Sequence, residues 1–254
     1  MAVPALSVVI AARDEAARLP ALLAQLAAAP ALIREVLVVD GGSRDATAQA
    51  ARLAGATLVR CDPGRGLQYA AGAALAVAPW LLLLHADARL PPGWAGRLSA
   101  VIAAADRRPT AWYFELAIAD PAPALRLVEL AVRLRSRWRQ RPYGDQGLLL
   151  PQALYRAVGG MRPLPLMEDL DLVERLGRRA RLRSLGLALR VDGRRWRSRG
   201  VWQTTLANWR LRRDWHRGVS AAVLARRYYA APAAQGAYQK AQRRSCGSRS
   251  QPWA

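Results

Sequence analysis

Two polar residues, His85 and Asp87, follow a short run of large apolar residues at 80–84. Such a run between polar residues is typical of a buried parallel strand. Ligands of open α/β sheets bind outside the carboxyl ends of the strands, so both side chains are predicted to face a ligand. A divalent cation that carries phosphates needs only one or two carboxylates, which makes Asp87 a candidate ligand. Alternatively, Asp87 only caps the helix that follows.

Acidic residues occur at two other predicted junctions. Asp40 closes the second predicted strand, and Glu168 and Asp169 open a predicted helix. Carboxylates are common in the first turn of a helix because they interact favourably with its dipole. Glu168 and Asp169 are therefore equally consistent with an ordinary helix start and with a functional site. Segment 142–147, which is polar and contains two glycines, precedes a predicted strand at 148–150. It is either a loop pressed close to a ligand or only a tight turn.

The elements that must position these residues alternate between strand and helix over the first 84 residues. Because the connections are short, the crossovers are expected to be right-handed and the sheet parallel, as in half of a doubly wound nucleotide-binding domain. Neither Gly-x-Gly-x-x-Gly nor a P-loop is present, so carboxylates, an arginine and a cation would have to hold any nucleotide. The predicted strands are 6–10, 35–39, 57–60 and 80–84, and the predicted helices are 15–28, 45–53 and 66–77.

The second half of the chain is predicted to contain fewer strands. From about residue 233 the sequence is polar, basic and rich in small residues, and we expect disorder there. The predicted elements are a helix from 91 to about 105, a strand at 111–118, one or two short strands within 181–191, and helices at 123–141, 202–217 and 219–229.

The composition excludes several classes of protein. The chain has 254 residues, of which 52% are hydrophobic, so it can build a sizeable core. Two cysteines without a Cys-x-x-Cys spacing argue against a disulfide framework and a structural zinc site. No apolar stretch approaches the roughly 20 residues of a membrane span. The first apolar run soon meets Arg13, so it is predicted to be a strand and not a signal peptide. We therefore expect a cytoplasmic protein.

The net charge of +21 is almost entirely due to arginine, since Lys240 is the only lysine. A charge of this size attracts phosphates, acidic lipid surfaces or, non-specifically, nucleic acid. The alternative is that the arginines are simply solvated. No recognised nucleic-acid motif interleaves aromatic residues with the arginines, so a specific RNA-binding function is not favoured.

Two predicted basic helices, 123–141 and 202–217, join apolar side chains to arginines. Each is either an ordinary surface helix that covers the core or a helix that lies on an anionic membrane surface. The second interpretation would place the protein at the inner face of the cell membrane. In the first helix the apolar face comprises Leu127, Leu130, Leu134 and Trp138, and the opposite face comprises Arg126, Arg133 and Arg137.

Over roughly residues 5–200, these segments together resemble an inverting glycosyltransferase of family 2. The most specific motif is Asp-x-x-Ser-x-Asp-x-Thr at 40–47, directly after a strand. Further motifs are similar to those of a subgroup of this family, which is labelled arsenosugar-biosynthesis glycosyltransferases. The other motifs that carry the resemblance are 7–15, 85–87 and 167–169, and those that narrow it to the subgroup are 64–68, 142–147, 164–169 and 194–196.

The resemblance implies one α/β domain over residues 1–230 with the GT-A nucleotide-diphospho-sugar transferase fold, a mostly parallel central sheet flanked by helices. Its nucleotide-binding half would span about 5–105 and its acceptor half about 106–200. The C-terminal amphipathic helices at about 202–229 would complete the domain, and the tail at 233–254 would be disordered.

The resemblance also implies the reaction, which moves a sugar from a nucleotide-sugar donor to an acceptor that the residues do not identify. Mn²⁺ or Mg²⁺ on the donor diphosphate would bind Asp87, with His85 as a second candidate ligand. Asp169 would be the general base, with Glu168 as the alternative. Asp40 would contact the base or ribose of the donor. The other residues that bind the donor would be Ala11, Arg13, Glu15 and Arg65, and the acceptor or donor loops would comprise Gly144, Asp145, Gln146, Arg195 and Trp196.

Two positions depart from the family pattern. His85 stands at the first position of the usual Asp-x-Asp, and its imidazole either binds a Mn²⁺-like metal or only donates or accepts a hydrogen bond. Asp192 stands where some relatives have the glutamine of Gln-x-x-Arg-Trp. Competing interpretations are a nucleotidyltransferase on a similar sheet and a catalytically silent binder of sugar nucleotides or acidic surfaces. The late Glu-Asp motif and the absence of a glycine-rich loop with lysine disfavour the nucleotidyltransferase.

Overall fold

The computed structural model describes residues 5–104 and 108–229, so the tail predicted to be disordered lies outside the described residues. The described strands are β1 (Leu6–Ala12), β2 (Ile33–Asp40), β3 (Thr57–Arg60), β4 (Trp80–His85), β5 (Thr110–Ala119), β6 (Leu148–Pro151) and β7 (Arg181–Asp192). The described helices are α1 (Leu19–Ala27), α2 (Thr47–Leu53), α3 (Arg65–Leu75), α4 (Trp94–Ala103), α5 (Pro123–Trp138), α6 (Gln152–Ala157), α7 (Glu168–Gly177), α8 (Arg194–Arg199), α9 (Val201–His216) and α10 (Ala221–Tyr229).

The strands form one seven-stranded sheet in the order β3-β2-β1-β4-β6-β5-β7. β1 pairs in parallel with β2 and β4, and β2 with β3, which confirms the parallel arrangement predicted for the first half. β6 runs antiparallel to β4 and β5, and β7 is parallel to β5. The carboxyl ends of β1, β2 and β4 therefore meet at one edge of the sheet.

The core lies on both faces of the sheet because successive strand residues point to opposite sides. On one face Val8 and Ile10 pack with residues of α1 and α4. On the other face Val9 packs with residues of α3 and α7. Gly72 of α3 allows a close approach, since a Cβ at this position would lie 2.4 Å from Cγ1 of Val9. The mostly parallel sheet with helices on both faces confirms the predicted α/β class.

Three sequence-based assignments of elements are corrected. α1 begins at Leu19 and not at Glu15, because distant side chains hold the backbone N–H groups of 14–16 in a loop. Residues 181–192 form one strand of 12 residues and not one or two short strands. Its register shifts opposite Tyr113 and Glu115, at a bulge that includes Gly186 with φ +73°. The helices α6 and α8 were not predicted.

The apolar face predicted for α5 does not cover the core. Leu125 and Ser136 are buried instead, and Val128 and Val132 pack against the cluster around Ile118. Leu127, Leu130 and Trp138 are exposed to solvent. The helix carries apolar residues on two sides, so its periodicity alone could not identify the buried one. No helix of 5–104 or 108–229 is both long enough and apolar enough to cross a bilayer.

Candidate active site

A cavity of about 370 Å³ opens at the carboxyl ends of β1 and β4. The rest of its wall comes from α3, the segment 143–145, the end of β7 and helices α7 to α10. Asp87 follows β4 and does not cap α4, whose N-cap residue is Gly93. The cavity brings together these residues singled out from the sequence: Ala11, Arg13, Glu15, Arg65, His85, Asp87, Asp145, Glu168, Asp169, Arg195 and Trp196.

Three of the predicted site residues do not line this cavity. Asp40 is buried, and its Oδ1 accepts hydrogen bonds from the N–H and Oγ–H of Ser43, so it shapes the turn after β2. Gln146 is fully buried and donates from Nε2 to the carbonyl oxygen of Phe114, 3.0 Å away. Gly144 lines a small second pocket together with His85 and Asp169, and its backbone N–H donates to Oδ2 of Asp169 at 2.8 Å. These residues support the site without facing it.

The Asp-x-x-Ser-x-Asp-x-Thr motif holds the loop that follows β1. Three of its side-chain oxygens accept hydrogen bonds from consecutive backbone N–H groups of that loop, at 2.8–3.0 Å. The motif thereby fixes the position at which Glu15 enters the cavity. The three pairs are Asp14 N–H to Ser43 Oγ, Glu15 N–H to Thr47 Oγ1, and Ala16 N–H to Asp45 Oδ2.

Arg194 at the start of α8 was not predicted as a site residue, although it stands in one of the quoted motifs. Its guanidinium forms a bidentate ion pair with the Glu15 carboxylate, and its Nη2 lies 4.0 Å from Oδ2 of Asp87. Asp192 anchors this segment, since it accepts from Nε of Arg18 at 2.6 Å and from Nη2 of Arg197 at 2.7 Å. The aspartate that departs from the family pattern therefore fixes α8 over the cavity.

His85 is a neutral imidazole in this environment. Burial, followed by the positive charge of Arg65, lowers the pKa of His85 to about 3. Its ring stacks on Tyr69, whose hydroxyl donates to the carbonyl oxygen of Leu84 at 2.9 Å. An uncharged imidazole keeps a lone pair available for a metal or for a hydrogen-bond donor.

The two acidic residues at the start of α7 lie in different environments. Glu168 is buried and its Oε1 lies 3.2 Å from Nε of Arg65. Burial raises the pKa of Glu168, and the Arg65 guanidinium opposes that rise. Asp169 is less buried and accepts from Gly144 N–H at 2.8 Å and from Leu170 N–H at 2.7 Å. Both Asp169 oxygens are thus oriented by backbone donors.

Met167 precedes this pair with φ +66°, a left-handed conformation that is unfavourable for a residue with a side chain. Strain of this kind is concentrated at functional sites, where the surrounding structure enforces it. Here the left-handed residue is the N-cap of α7 and turns the chain so that Glu168 and Asp169 both reach the cavity.

Asp145 carries a polar atom that lacks a partner. Its Oδ1 is buried and has no hydrogen bond within the described residues, although the residue lines the cavity. Burial raises the pKa of Asp145, and Arg135 opposes that rise. A buried oxygen without a partner is costly unless a ligand satisfies it, so Asp145 is a candidate ligand contact.

The far wall of the cavity comes from the C-terminal helices. Arg212 and Asn208 of α9, and Tyr228 and Tyr229 of α10, line it. The guanidinium of Arg195 lies over the ring of Tyr228, 4.9 Å from its centroid. These residues were not predicted because their helices resemble ordinary basic surface helices. The two adjacent tyrosines at the end of α10 were the only feature of these helices in the sequence that could have indicated a binding site.

The residues present fit a divalent cation only if a ligand completes its coordination. Among residues 5–104 and 108–229, no three His, Cys, Asp or Glu side chains are grouped closely enough to hold a metal ion. Asp87 and the neutral His85 supply at most two protein ligands. That number suits a cation that keeps waters and shares its other positions with phosphate oxygens.

Removal of the Arg65 charge is expected to destabilise the fold in a pH-dependent way. Arg65→Met should lower the free energy of unfolding by about 3 kcal/mol at pH 8, because it leaves a buried carboxylate without its cation. The loss should shrink toward pH 5. Without Arg65 the pKa of Glu168 rises further above its value in the unfolded chain, so the folded form keeps a proton that the unfolded chain releases. Denaturant unfolding at both pH values measures this difference.

The matched control is Arg60→Met, which removes an exposed arginine of β3 that forms no ion pair in the described part of the chain. It is expected to leave the free energy of unfolding within about 0.5 kcal/mol of the original at both pH values. A loss in Arg65→Met that equals this control, or that does not depend on pH, would contradict the role assigned to the ion pair.

Comparison with known protein families gives a match to the first part of the chain. Residues 7–111 match the model described as Glycosyl transferase family 2, which is less than half of the chain. The matched segment contains β1 to β4 and ends in β5. Among curated proteins, no sequence matches significantly.

Solved structures share the fold over most of the chain. Glucosyl-3-phosphoglycerate synthase from Mycobacterium tuberculosis, in complex with Mn²⁺, UDP and glucosyl-3-phosphoglycerate, has a TM-score of 0.54 at 18% identity and covers 72% of this chain and 71% of its own. Its complex with phosphoglyceric acid has a TM-score of 0.56 at 18% identity, with 74% and 71% covered. A further mycobacterial protein has a TM-score of 0.54 at 20% identity, with 74% and 65% covered. These similarities confirm the predicted GT-A fold.

Proposed function

We propose that the chain is an inverting glycosyltransferase of family 2 that moves a sugar from a nucleotide-sugar donor to an acceptor hydroxyl. The match over residues 7–111 and the GT-A fold support a glycosyltransferase. The proposal rests mainly on one observation, that Asp87 after β4 and Asp169 at the start of α7 enter the same cavity. The narrower resemblance to the arsenosugar subgroup and the division of 1–230 into a donor and an acceptor half stay predictions.

The cavity residues divide into a donor side and an acceptor side in this proposal. Arg13, Glu15 and Arg194 line the cavity together with Asp87 and would frame the donor diphosphate. Asp40 does not face the cavity, so we assign it a supporting role in the turn after β2 and not direct contact with the base or ribose. The side toward α9 and α10 is left for the acceptor, with Arg195 and Trp196 at the boundary.

Negative charge grows on the diphosphate as its bond to the sugar breaks. A divalent cation bound by Asp87, with His85 as a second ligand, would neutralise part of that charge. Solved structures of the same fold are described with UDP together with Mn²⁺ or Mg²⁺, which supports this role. Arg194 is placed to add a second positive charge, since its Nη2 is 4.0 Å from Asp87. Fixed charges at the leaving group act most strongly in the transition state.

Asp169 acts as the general base in this mechanism. It removes the proton of the acceptor hydroxyl as that oxygen forms a bond to the anomeric carbon. The bond from the anomeric carbon to the diphosphate oxygen breaks at the same time, and the diphosphate leaves with the electron pair. A single displacement of this kind inverts the anomeric centre and needs one base on the side opposite the leaving group. Hydrogen bonds from Gly144 and Leu170 hold the Asp169 carboxylate in position.

Glu168 is less suited to be the base, because Arg65 pairs with it and it is almost fully buried. We assign it to hold Arg65 and the start of α7. Asp145 has an unsatisfied buried oxygen on the cavity wall and would bond to a hydroxyl of the donor sugar or of the acceptor. An oxygen with no other partner selects for a ligand that can donate to it.

The proposed function is tested by incubating the pure protein with a panel of nucleotide sugars and Mn²⁺. We expect release of a nucleoside diphosphate from at least one donor, since water can replace the acceptor slowly. In a parallel reaction that contains a nucleoside triphosphate and a sugar phosphate, a nucleotidyltransferase would instead release pyrophosphate. A silent binder would be stabilised by nucleotide sugars without cleaving any of them. Either of these outcomes would contradict the proposal.

Gly144→Ala is expected to lower turnover about tenfold without unfolding the protein. The new Cβ would lie 3.1 Å from Nε2 of His85 and 3.2 Å from Oδ2 of Asp169, so both must shift by a few tenths of an ångström. Small displacements of catalytic groups are costly because the reacting atoms must be aligned. Release of nucleoside diphosphate from the donor identified above measures the change.

Gly96→Ala in α4 serves as the control, since nothing lies within 4 Å of its added Cβ. Alanine is the better helix former, so this variant should keep full turnover and gain up to about 1 kcal/mol in stability. Equal turnover of the two variants would contradict the close packing of Gly144 behind Asp169.

A further inference from the structure

Six large apolar side chains on α5 and α9 are exposed to solvent. Trp138, Trp202 and Trp209 expose 80%, 66% and 49% of their surface. Leu127, Leu130 and Leu206 are also exposed. Single exposed apolar residues are ordinary, but a group of this size on adjacent elements is typical of an interaction site.

The two helices lie side by side and run in the same direction. Val128 and Val132 of α5 pack in the same cluster as Val201 at the start of α9. Beyond the other end of α5, Nη1 of Arg141 lies 3.3 Å from Nε2 of His216, which ends α9.

The exposed residues occupy one stripe on each helix. Spacings of three and four residues place side chains on the same face. One stripe consists of residues 127, 130 and 138 with the half-buried Leu134 between them, and the other of residues 202, 206 and 209. We refer to these two stripes together as the apolar patch.

The surroundings of the apolar patch are basic. Arg139, Arg210 and Arg217 are exposed and form no ion pair within the described residues. The acidic residues of the two helices, Glu129 and Asp214, are already paired with arginines. The patch therefore joins exposed tryptophan and leucine side chains to positive charge without compensating negative charge.

We infer that the apolar patch docks on an anionic lipid membrane surface. Tryptophan and leucine can enter the boundary between head groups and acyl chains while arginines contact acidic head groups. A second copy of the chain would bring another +21 of like charge to the contact. Segment 230–254 contains four basic residues and no acidic residue, so it does not complement the patch either. Nucleic acid offers phosphates but no apolar phase for the six side chains.

This inference goes beyond the proposed function and connects to it through α9. The opposite side of the helix presents Asn208, Leu211 and Arg212 to the cavity. Docking of the exposed stripe would therefore bring the α9 wall of the cavity close to the membrane surface. No helix of the described ranges is long and apolar enough to span the bilayer.

Sedimentation of the full chain with vesicles tests the inference. Vesicles of phosphatidylglycerol mixed with phosphatidylcholine are compared with vesicles of phosphatidylcholine alone, at low and at high salt. We expect binding to the anionic vesicles that weakens with salt, and little binding to the neutral ones.

The variant Trp138→Ser with Trp209→Ser should lower the partition coefficient roughly tenfold or more, because less apolar surface enters the interface. Arg139→Gln with Arg210→Gln should lower it roughly 25-fold, at about fivefold for each basic residue near the surface.

The controls come from the opposite part of the fold. Leu53→Ser removes a leucine of α2 that is 81% exposed, and Arg52→Gln with Arg60→Gln removes two exposed arginines, one in α2 and one in β3. These variants should bind the anionic vesicles as the original chain does. Equal binding of the patch and control variants, equal recovery with neutral vesicles, or no sedimentation would each overturn the inference. It would also fail if light scattering showed that the tryptophan variant only splits a dimer, or if the patch bound duplex nucleic acid and not vesicles.

Discussion

Asp169→Asn is expected to lower turnover by roughly 100-fold or more while the affinity for a nucleoside diphosphate stays unchanged. The substitution keeps the size of the side chain and one oxygen that can accept from Gly144 or Leu170, but it removes the proton acceptor. If Asp169 acts only in the transition state, the loss must appear in turnover and not in donor binding. Single-turnover transfer or hydrolysis, together with nucleotide titration, separates the two effects.

The competing explanation of Asp169 is that it only stabilises the start of α7. Asparagine keeps one oxygen for the backbone donors Gly144 and Leu170 and loses the other, so a purely structural role predicts nearly unchanged turnover with a loss of stability of about 1 kcal/mol. Glu168→Gln is the informative comparison. It should reduce turnover less than Asp169→Asn, but it should lower stability because Arg65 loses its partner. Near-normal turnover in Asp169→Asn would reject the base assignment, and a loss confined to Glu168→Gln would move it to the neighbouring residue.

The parallel half of the sheet was predictable because its signal is local. Each strand is a short apolar run, and each helix between strands has leucine or alanine at helical spacing. The start of α1 was not predictable in this way. Its boundary depends on Ser43, Asp45 and Thr47, which hold the preceding loop from about thirty residues away. Helical periodicity continues through that loop, so the sequence places the first turn too early.

The residues after β4 could be predicted from the sequence as site residues, whereas most of those on the opposite side of the cavity could not. His85 and Asp87 end an apolar run, which locates them at the ligand-binding edge without any family comparison. Asp169 lies 82 positions later, and only the family resemblance connected it with Asp87 before the topology placed both in one cavity. Arg194 and Tyr228 were not predicted as site residues because α8 and α10 reach the cavity only through tertiary packing. The motif at 194–196 and the two adjacent tyrosines do not by themselves indicate a site.

The exposed face of α5 illustrates a limit of periodicity. Leu127, Leu130 and Trp138 form a regular stripe, but Leu125 and Val128 begin a second one that packs against the sheet. Both stripes obey the helical repeat, and the choice between them depends on which side meets β5 and β7. A helix with two apolar sides is therefore a better indication of a docking surface than a helix with one.

Asp87→Ala is expected to abolish the part of nucleotide binding that depends on Mn²⁺. Asp87 supplies the carboxylate after β4, and the neutral His85 cannot hold a hard cation alone. The thermal midpoint of the free protein should change little, because Asp87 lines the cavity and forms no close ion pair, its nearest cation being Arg194 at 4.0 Å. Asp62→Ala is the matched control, since that carboxylate is exposed and does not line the cavity.

The central claim, that the cavity is a cation-assisted site for a nucleotide-sugar donor, is tested most directly by calorimetric titration with UDP, with and without Mn²⁺. For the original chain and for Asp62→Ala, we predict that Mn²⁺ tightens the dissociation constant by about tenfold or more, which corresponds to roughly 1.4 kcal/mol. For Asp87→Ala, we predict the same weak constant under both conditions. Equal tightening by Mn²⁺ in Asp87→Ala and in the original chain would contradict the claim.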